Sequence, residues 1–364
     1  MNFKSKTLIS TVVAAILIIV ACKKTEDPGS TITQDTTPYM LKTGDFPPPQ
    51  IATDNALTVQ GVKLGRMLFY ENMLSRDGSQ NCGTCHRQKH AFSDTNQFSI
   101  GVDGFPGGRQ AMAVFNMAWN ANEFFWDGRA HLLRDQSLMP IQDSLEMAET
   151  LENAVAKLSA DQDYKNQFIR AFGTDQITSE LMSLAMEQFM NSIVSVNSKY
   201  DQVLAGNANL TPSEARGRKL FFTEYNPAFP DSSGADCAHC HSGKNFSNNQ
   251  YMNNGLESDA TLTDIGRQKV TGSANDKGKM KVPSLRNIAL TGPYMSDGRF
   301  TTLEEVVDHY NNGLAASSTL DPALAYTMST GLMLTAQDKA DLVAFLKTLT
   351  DLDLMTNPEY SDPF

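Results

Sequence analysis

Positive charge is scarce in this sequence: 30 Lys and Arg against 41 Asp and Glu leave a formal net charge of −11. That disfavours a nucleic-acid partner, because phosphate binding needs a basic surface to release counterions. A cationic or neutral partner fits the balance better. No segment shows the apolar and polar alternation of a half-buried strand, which argues against a sheet-based fold and for an all-α chain. Tryptophan is confined to Trp119 and Trp126, and cysteine to Cys22, Cys82, Cys85, Cys237 and Cys240. The 364 residues, 41% hydrophobic and 20% charged, suffice for two domains, each with its own core.

The uncharged stretch from Thr7 to Val20, after Lys4 and Lys6, is too short and too close to the start for a comfortable membrane span. It reads as a signal peptide. It ends in Ile19-Val20-Ala21-Cys22, a small residue and then a cysteine, which resembles a bacterial lipoprotein processing site. Cys22 is then the expected site of a lipid anchor, holding the protein on the periplasmic side of a bacterial membrane. Residues 23–45 are polar, poor in large apolar side chains, and read as a flexible tether.

With Cys22 set aside, the other four cysteines form Cys82-Gly83-Thr84-Cys85-His86 and Cys237-Ala238-His239-Cys240-His241. Cys-x-x-Cys-His is the haem attachment signature: two thioethers fix the porphyrin and the adjacent histidine ligates iron. Two c-type haems are expected, with His86 and His241 as iron ligands and no thiol left for a structural bridge. Zinc is the competing use of such residues, but a closed four-ligand site would have to pool two separate repeat units. Among the other histidines, His239 lies inside a motif and faces elsewhere, and His90 reads as a solvent-exposed loop residue.

The two motifs belong to an internal duplication. Gly65-Arg66-Met67-Leu68-Phe69-Tyr70 precedes the first, and Gly217-Arg218-Lys219-Leu220-Phe221-Phe222 the second. Thr211-Pro212-Ser213-Glu214 opens a helix that runs through Phe222. Helical periodicity predicts another from about Thr178 to Tyr200, closing the first unit. Thr302 and Glu305 form a capping box before a stripe of Leu303, Val306, Val307 and Tyr310. Tyr310 should point inward and His309, about 100° round the helix, to solvent. Thr335 and Asp338 open a final helix with Leu342, Phe345, Leu346 and Leu349 on one face. The expected order is signal peptide 1–22, tether 23–45, N-terminal cytochrome c-like domain 46–205, C-terminal cytochrome c-like domain 206–350 and C-terminal tail 351–364.

Both haem motifs, with Leu64-Gly65-Arg66-Met67-Leu68-Phe69, Phe125-Trp126-Asp127-Gly128-Arg129, Val282-Pro283-Ser284-Leu285-Arg286-Asn287 and Thr302-Leu303-Glu304-Glu305-Val306-Val307, resemble the bacterial di-haem cytochrome c peroxidase and MauG family over about residues 50 to 350. The resemblance implies a peroxidatic haem in the N-terminal unit and an electron-transfer haem in the C-terminal one. Many members place a distal histidine in the loop that here reads Ser99-Ile100-Gly101-Val102-Asp103-Gly104-Phe105; no histidine is there, so an open resting ferric haem is expected. The position of Tyr310 is commonly a methionine ligand in the peroxidases and tyrosine in MauG; Met280 is a rival ligand.

The resemblance further implies that Trp126 is an electron stepping stone between the haems. It makes Glu146 the acid/base for peroxide and Gln136 a hydrogen-bond donor orienting it. One calcium ion is implied on the carbonyls of Thr291 and Pro293, with Gln110, after Arg109, where an asparagine is usual. Ala235 stands where MauG has a surface tryptophan, which disfavours long-range oxidation of a protein. The expected activity is reduction of hydrogen peroxide with electrons from a small redox protein or other donor. A MauG-like oxidation of a protein or organic substrate and a non-catalytic electron carrier are the alternatives.

Overall fold

Two glycines at matched places in the duplication set the helix crossings on which the architecture is built. A Cβ on Gly65 would overlap the carbonyl oxygen of Ala185, and one on Gly217 that of Asp341. Backbone therefore meets backbone where Val59–Phe69 crosses Ser179–Ser192, and again where Pro212–Phe222 crosses Ala336–Lys347. The computed structural model describes residues 31–364; the expected signal peptide, Cys22 and residues 23–30 of the tether lie outside the described residues.

Each crossing carries its own core. The first gathers Leu64, Leu68, Phe69, Phe92, Phe168 and Phe189, and the second Tyr200, Phe221, Phe246, Leu342, Phe345 and Leu349. Both lie within one contiguous unit, Thr33–Phe364. The fold is mostly helical, as expected: among the described residues the only strands are Tyr251–Met252 and Met280–Lys281, paired antiparallel. No described helix is long and apolar enough to cross a membrane.

Capping boxes at Thr211, Thr302 and Thr335 open helices at the expected places. The helix expected from Thr178 to Tyr200 instead stops at Ser192. Ile193, Val194 and Val196 are β-branched and favour extended backbone, and distant groups take their backbone bonds. Asn116 accepts from Ser195 N (2.8 Å) and donates to Ser195 O (3.0 Å), while Asp351 accepts from Val196 and Asn197 at 2.9 Å each. A new helix, Lys199–Leu204, then starts at the Ser198 and Asp201 capping box.

The chain ends are also better anchored than expected. Within the tether, Asp35 N donates to Arg170 O (2.8 Å) and Tyr39 N to Leu57 O (3.0 Å), so residues 35–39 are held against the first core. The helix Ala336–Lys347 is not the final one: Leu352–Thr356 follows, and Leu354 and Tyr360 enter the first core. Tyr70 Oη donates to Tyr360 O (2.8 Å) and Arg66 Nε to Ser361 O (2.7 Å), so the expected tail is packed structure.

Arg286, 1% exposed, joins the second core to the Lys199–Leu204 helix through two bonds to Asp201, 2.7 and 2.8 Å, with Nε on Lys244 O. Burial would raise the Asp201 carboxyl, and the guanidinium overrides it and holds the pKa below the usual range. Asp201→Ala strands a buried cation and should cost about 3–5 kcal/mol. A denaturation midpoint equal to the parent's would contradict this.

Candidate active site

Both motif histidines are held in the same way. His86 Nδ1 lies 3.1 Å from Phe92 O, and His241 Nδ1 3.1 Å from Phe246 O. A carbonyl can only accept, so Nδ1 carries the proton and Nε2 keeps its lone pair for a ligand. The carbonyls point inward because Phe92 and Phe246 adopt left-handed backbone, φ 58° and 51°, with both rings buried. Burial lowers the pKa of both imidazoles, that of His241 to about 4, so each is neutral near pH 7.

The histidines and all four motif cysteines line one cavity of about 980 Å³, at the upper end of the ~300–1,000 Å³ of small-molecule sites. The cysteines form no disulfide. Paired thiols and a neutral imidazole with a free Nε2, twice over in a largely apolar cavity, fit two c-type haems.

Beyond the motifs the duplication continues in backbone form. Phe124 N bonds Ala130 O and Tyr294 N bonds Phe300 O, each at 2.7 Å, and Phe125 and Met295 share left-handed φ of 68° and 74°. The helices Leu133–Gln142 and Leu303–Asn312 follow. Laid on one another, they set Gln136 against Val306 and Pro140 against Tyr310, and all four line the cavity. The sequence reading missed this second repeat; Asp127-Gly128-Arg129 and Asp297-Gly298-Arg299 were its signal.

Tyr310 faces inward, and burial pushes its phenol up to about 12. Met280 lines the cavity too. His309 is buried and does not face solvent: its Nε2 lies 2.9 Å from Asn254 O and its ring 5.6 Å from Phe300, because the 253–255 loop covers that side of the helix. His90 is half-buried rather than exposed.

Residues 59–209 match the family model for di-haem cytochrome c peroxidase. The chain is 34% identical to the methylamine utilization protein MauG of Methylorubrum extorquens, over 81% of this chain and 79% of that protein. It is 33% identical to the cytochrome c551 peroxidase of Nitrosomonas europaea, over 79% of each. A solved MauG-like protein associated with microbial copper homeostasis superposes with a TM-score of 0.80 at 34% identity, over 89% of this chain and 98% of that one. The chain belongs to the di-haem cytochrome c peroxidase family. It is an oxidoreductase carrying two c-type haems.

The di-haem peroxidase frame places the remaining expected residues on the same cavity. Trp126 is buried; its Nε1 donates to Gln110 O (2.8 Å) and its carbonyl accepts from Lys281 N (2.7 Å). Gln110 N in turn donates to Ser296 O (2.9 Å), the Trp126 position of the second repeat, so the two repeats exchange equivalent bonds. Arg109 locks this seam with one bond to Asp127 (2.7 Å) and two to Asp264 (2.7 and 2.9 Å). Gln110, Thr291 and Pro293 border the cavity together, but the Gln110 amide nitrogen is turned to Ser93 Oγ and Asp94 O.

Glu146 lines the cavity near Gln136 and Pro140 in the chain. Burial first, and repulsion from Asp143 second, push its carboxyl up to about 7 against the pull of Arg129. It is therefore protonated below that pH and ionised above it. Infrared difference spectra should show one protonated-carboxyl band lost as pH rises through about 7. The band should be missing from Glu146→Gln; its persistence there would assign it to another group.

Proposed function

We propose that this protein reduces hydrogen peroxide to water in its N-terminal unit, residues 46–205, with electrons from a small redox protein or other donor delivered through the C-terminal unit, residues 206–350. The observation that carries this reading is the exchange of Pro140 for Tyr310 at one place in a duplicated frame. Proline offers no side-chain atom to a metal, whereas a phenol can ligate one. The same backbone thus leaves one site open to a substrate and provides for closing the other.

Cys82, Cys85 and His86 would hold the first haem, and Cys237, Cys240, His241 and Tyr310 the second. Bound there, the haems would supply redox-active iron able to take up and pass on two electrons. The protein's own residues manage the protons. Glu146 takes a proton from one peroxide oxygen and returns it to the other, which leaves as water. Its pKa near 7 suits both directions of transfer. Gln136 donates an amide hydrogen bond that orients the peroxide without adding charge. Peroxide, two electrons and two protons give two waters. Trp126, pinned at both its indole nitrogen and its carbonyl, stands between the units as the electron stepping stone.

Gln110, Thr291 and Pro293 are the proposed calcium ligands, and Cys22 the proposed lipid anchor on the periplasmic face. The MauG-like alternative draws support from Tyr310, whose anionic form would favour oxidised iron. Against it, Ala235 is buried and offers no surface aromatic for oxidising a partner.

Resting ferric protein should give one high-spin and one low-spin resonance signal; low-spin signals alone would remove the open site. Glu146→Gln should slow peroxide consumption by about 10²–10⁴-fold, with both haem spectra intact. An unchanged rate takes Glu146 out of the mechanism.

A further inference from the structure

Among the described residues no side chain hydrogen-bonds the Glu146 carboxylate to aim it; Asp143 and Arg129 act on it through their charge. Its placement therefore depends on the backbone that carries it. That backbone is gripped from two sides. Asp143 O accepts from Glu146 N and Ala148 N, each at 3.0 Å, which folds 143–148 into a tight turn with Ala148 left-handed at φ 50°. On one side Val102 N donates to Glu146 O (2.9 Å), and on the other Arg76 N donates to Met147 O (3.0 Å).

Val102 belongs to a small hairpin. Ile100 pairs with Pro106, Gly101 N donates to Phe105 O (3.0 Å) and Gly107 N to Ser99 O (2.9 Å). Gly101 lies flat on the Glu146 turn: a Cβ there would overlap the carbonyl oxygen of Leu145 and come within 2.8 Å of that of Glu146. At the hairpin tip the Asp103 carboxylate pairs with the Arg76 guanidinium. Arg76 thus holds the turn with its backbone and the hairpin with its side chain, and the contacts close a ring through Arg76, Asp103, Val102, Glu146 and Met147. Gln80 Nε2, two residues before Cys82, adds a bond to Ile100 O (2.9 Å) and ties the ring to the first motif.

We propose that the 99–107 hairpin is a clip that positions Glu146 for proton transfer, closed by the Arg76 and Asp103 pair and seated by Gly101. This rests on the acid/base reading of Glu146 given above. The Arg76 and Asp103 side chains are 50% and 38% exposed, so the pair contributes little alone and weakens with salt. Its effect comes from closing a ring whose other members are backbone bonds. Gly101, Arg76 and Asp103 are positioning residues, since none donates or accepts the transferred proton.

The test uses the haem-loaded full chain and the variants Gly101→Ala, Asp103→Asn and Arg76→Gln, with Glu146→Gln alongside. Deuterium exchange over 143–148 should speed up in all three clip variants. In Gly101→Ala, kcat for peroxide should fall by about 10- to 100-fold with a small change in KM, because misplacing a proton donor by about 1 Å has that effect. The pH midpoint of kcat should move in Gly101→Ala and less in Asp103→Asn, and about 1 M salt should reproduce the Asp103→Asn effect in the parent. Should Gly101→Ala not load haem, Asp103→Asn, a surface change, carries the same readouts. Exchange and pH midpoint equal to the parent's in Asp103→Asn and Arg76→Gln, while Glu146→Gln is slow, would overturn the clip and leave the acid/base reading standing. A normal rate in Glu146→Gln would overturn both.

Discussion

One bond per repeat, from a histidine Nδ1 to a phenylalanine carbonyl, is the constraint around which this protein is arranged. The carbonyl faces the ring only because its residue is left-handed, a backbone state that costs about 1–3 kcal/mol for a non-glycine residue. Burying the phenyl ring offsets that strain, since a fully buried Phe contributes about 1.5–3 kcal/mol. Phe92 packs against Phe69 in the first core and Phe246 against Phe221 in the second. Each carbonyl also accepts a second backbone bond, from Val114 N (3.1 Å) and from Leu285 N (3.3 Å). The cores fix the phenylalanines, these fix the imidazoles, and the neutral ring nitrogens face the cavity as a consequence.

Upon that shared frame a few side chains separate the two halves. Pro140 and Tyr310 occupy one place, Gln136 and Val306 another, and Trp126 and Ser296 a third. In each pair the side chains differ in kind: a ring with no donor atom against a phenol, an amide against an aliphatic group, and an indole against a hydroxymethyl group. The seam between halves repeats one bond in both directions, so its geometry is nearly symmetric while its contents are not. One indole, that of Trp126, sits at this nearly symmetric seam with its Nε1 on Gln110 O, and Arg109 ties the adjoining chain to Asp127 and Asp264.

What was legible in the sequence was local chemistry. The haem motifs, the capping boxes at Thr211, Thr302 and Thr335, and the Gly65 and Gly217 match are complete within a few residues of chain. What was not legible depended on distant partners. Nothing near Ile193 announces that Asn116 and Asp351 will take its segment's backbone bonds. His309 was placed outward by helix geometry alone, and the Asn254 loop that covers it lies far away in sequence. The second repeat was hidden because it survives as turn geometry, with little more than Asp-Gly-Arg and the leucine at 133 and 303 in common between its copies.

The C-terminal segment makes the first site depend on the last residues. The Tyr360 ring packs 6.4 Å from that of Phe92, the residue whose carbonyl holds His86. Tyr360 Oη accepts from Val194 N (3.3 Å) in the extended backbone that follows Ser192, and Gln88, two residues past His86, donates to the carbonyls of Leu354 (3.0 Å) and Asn357 (2.8 Å). The support for the first histidine is thus completed by chain that arrives only after the second core has been traversed. The duplication therefore describes the ancestry of the two halves better than their independence: the first half cannot finish its own core, and the support of its motif histidine includes residues contributed from the far end of the molecule.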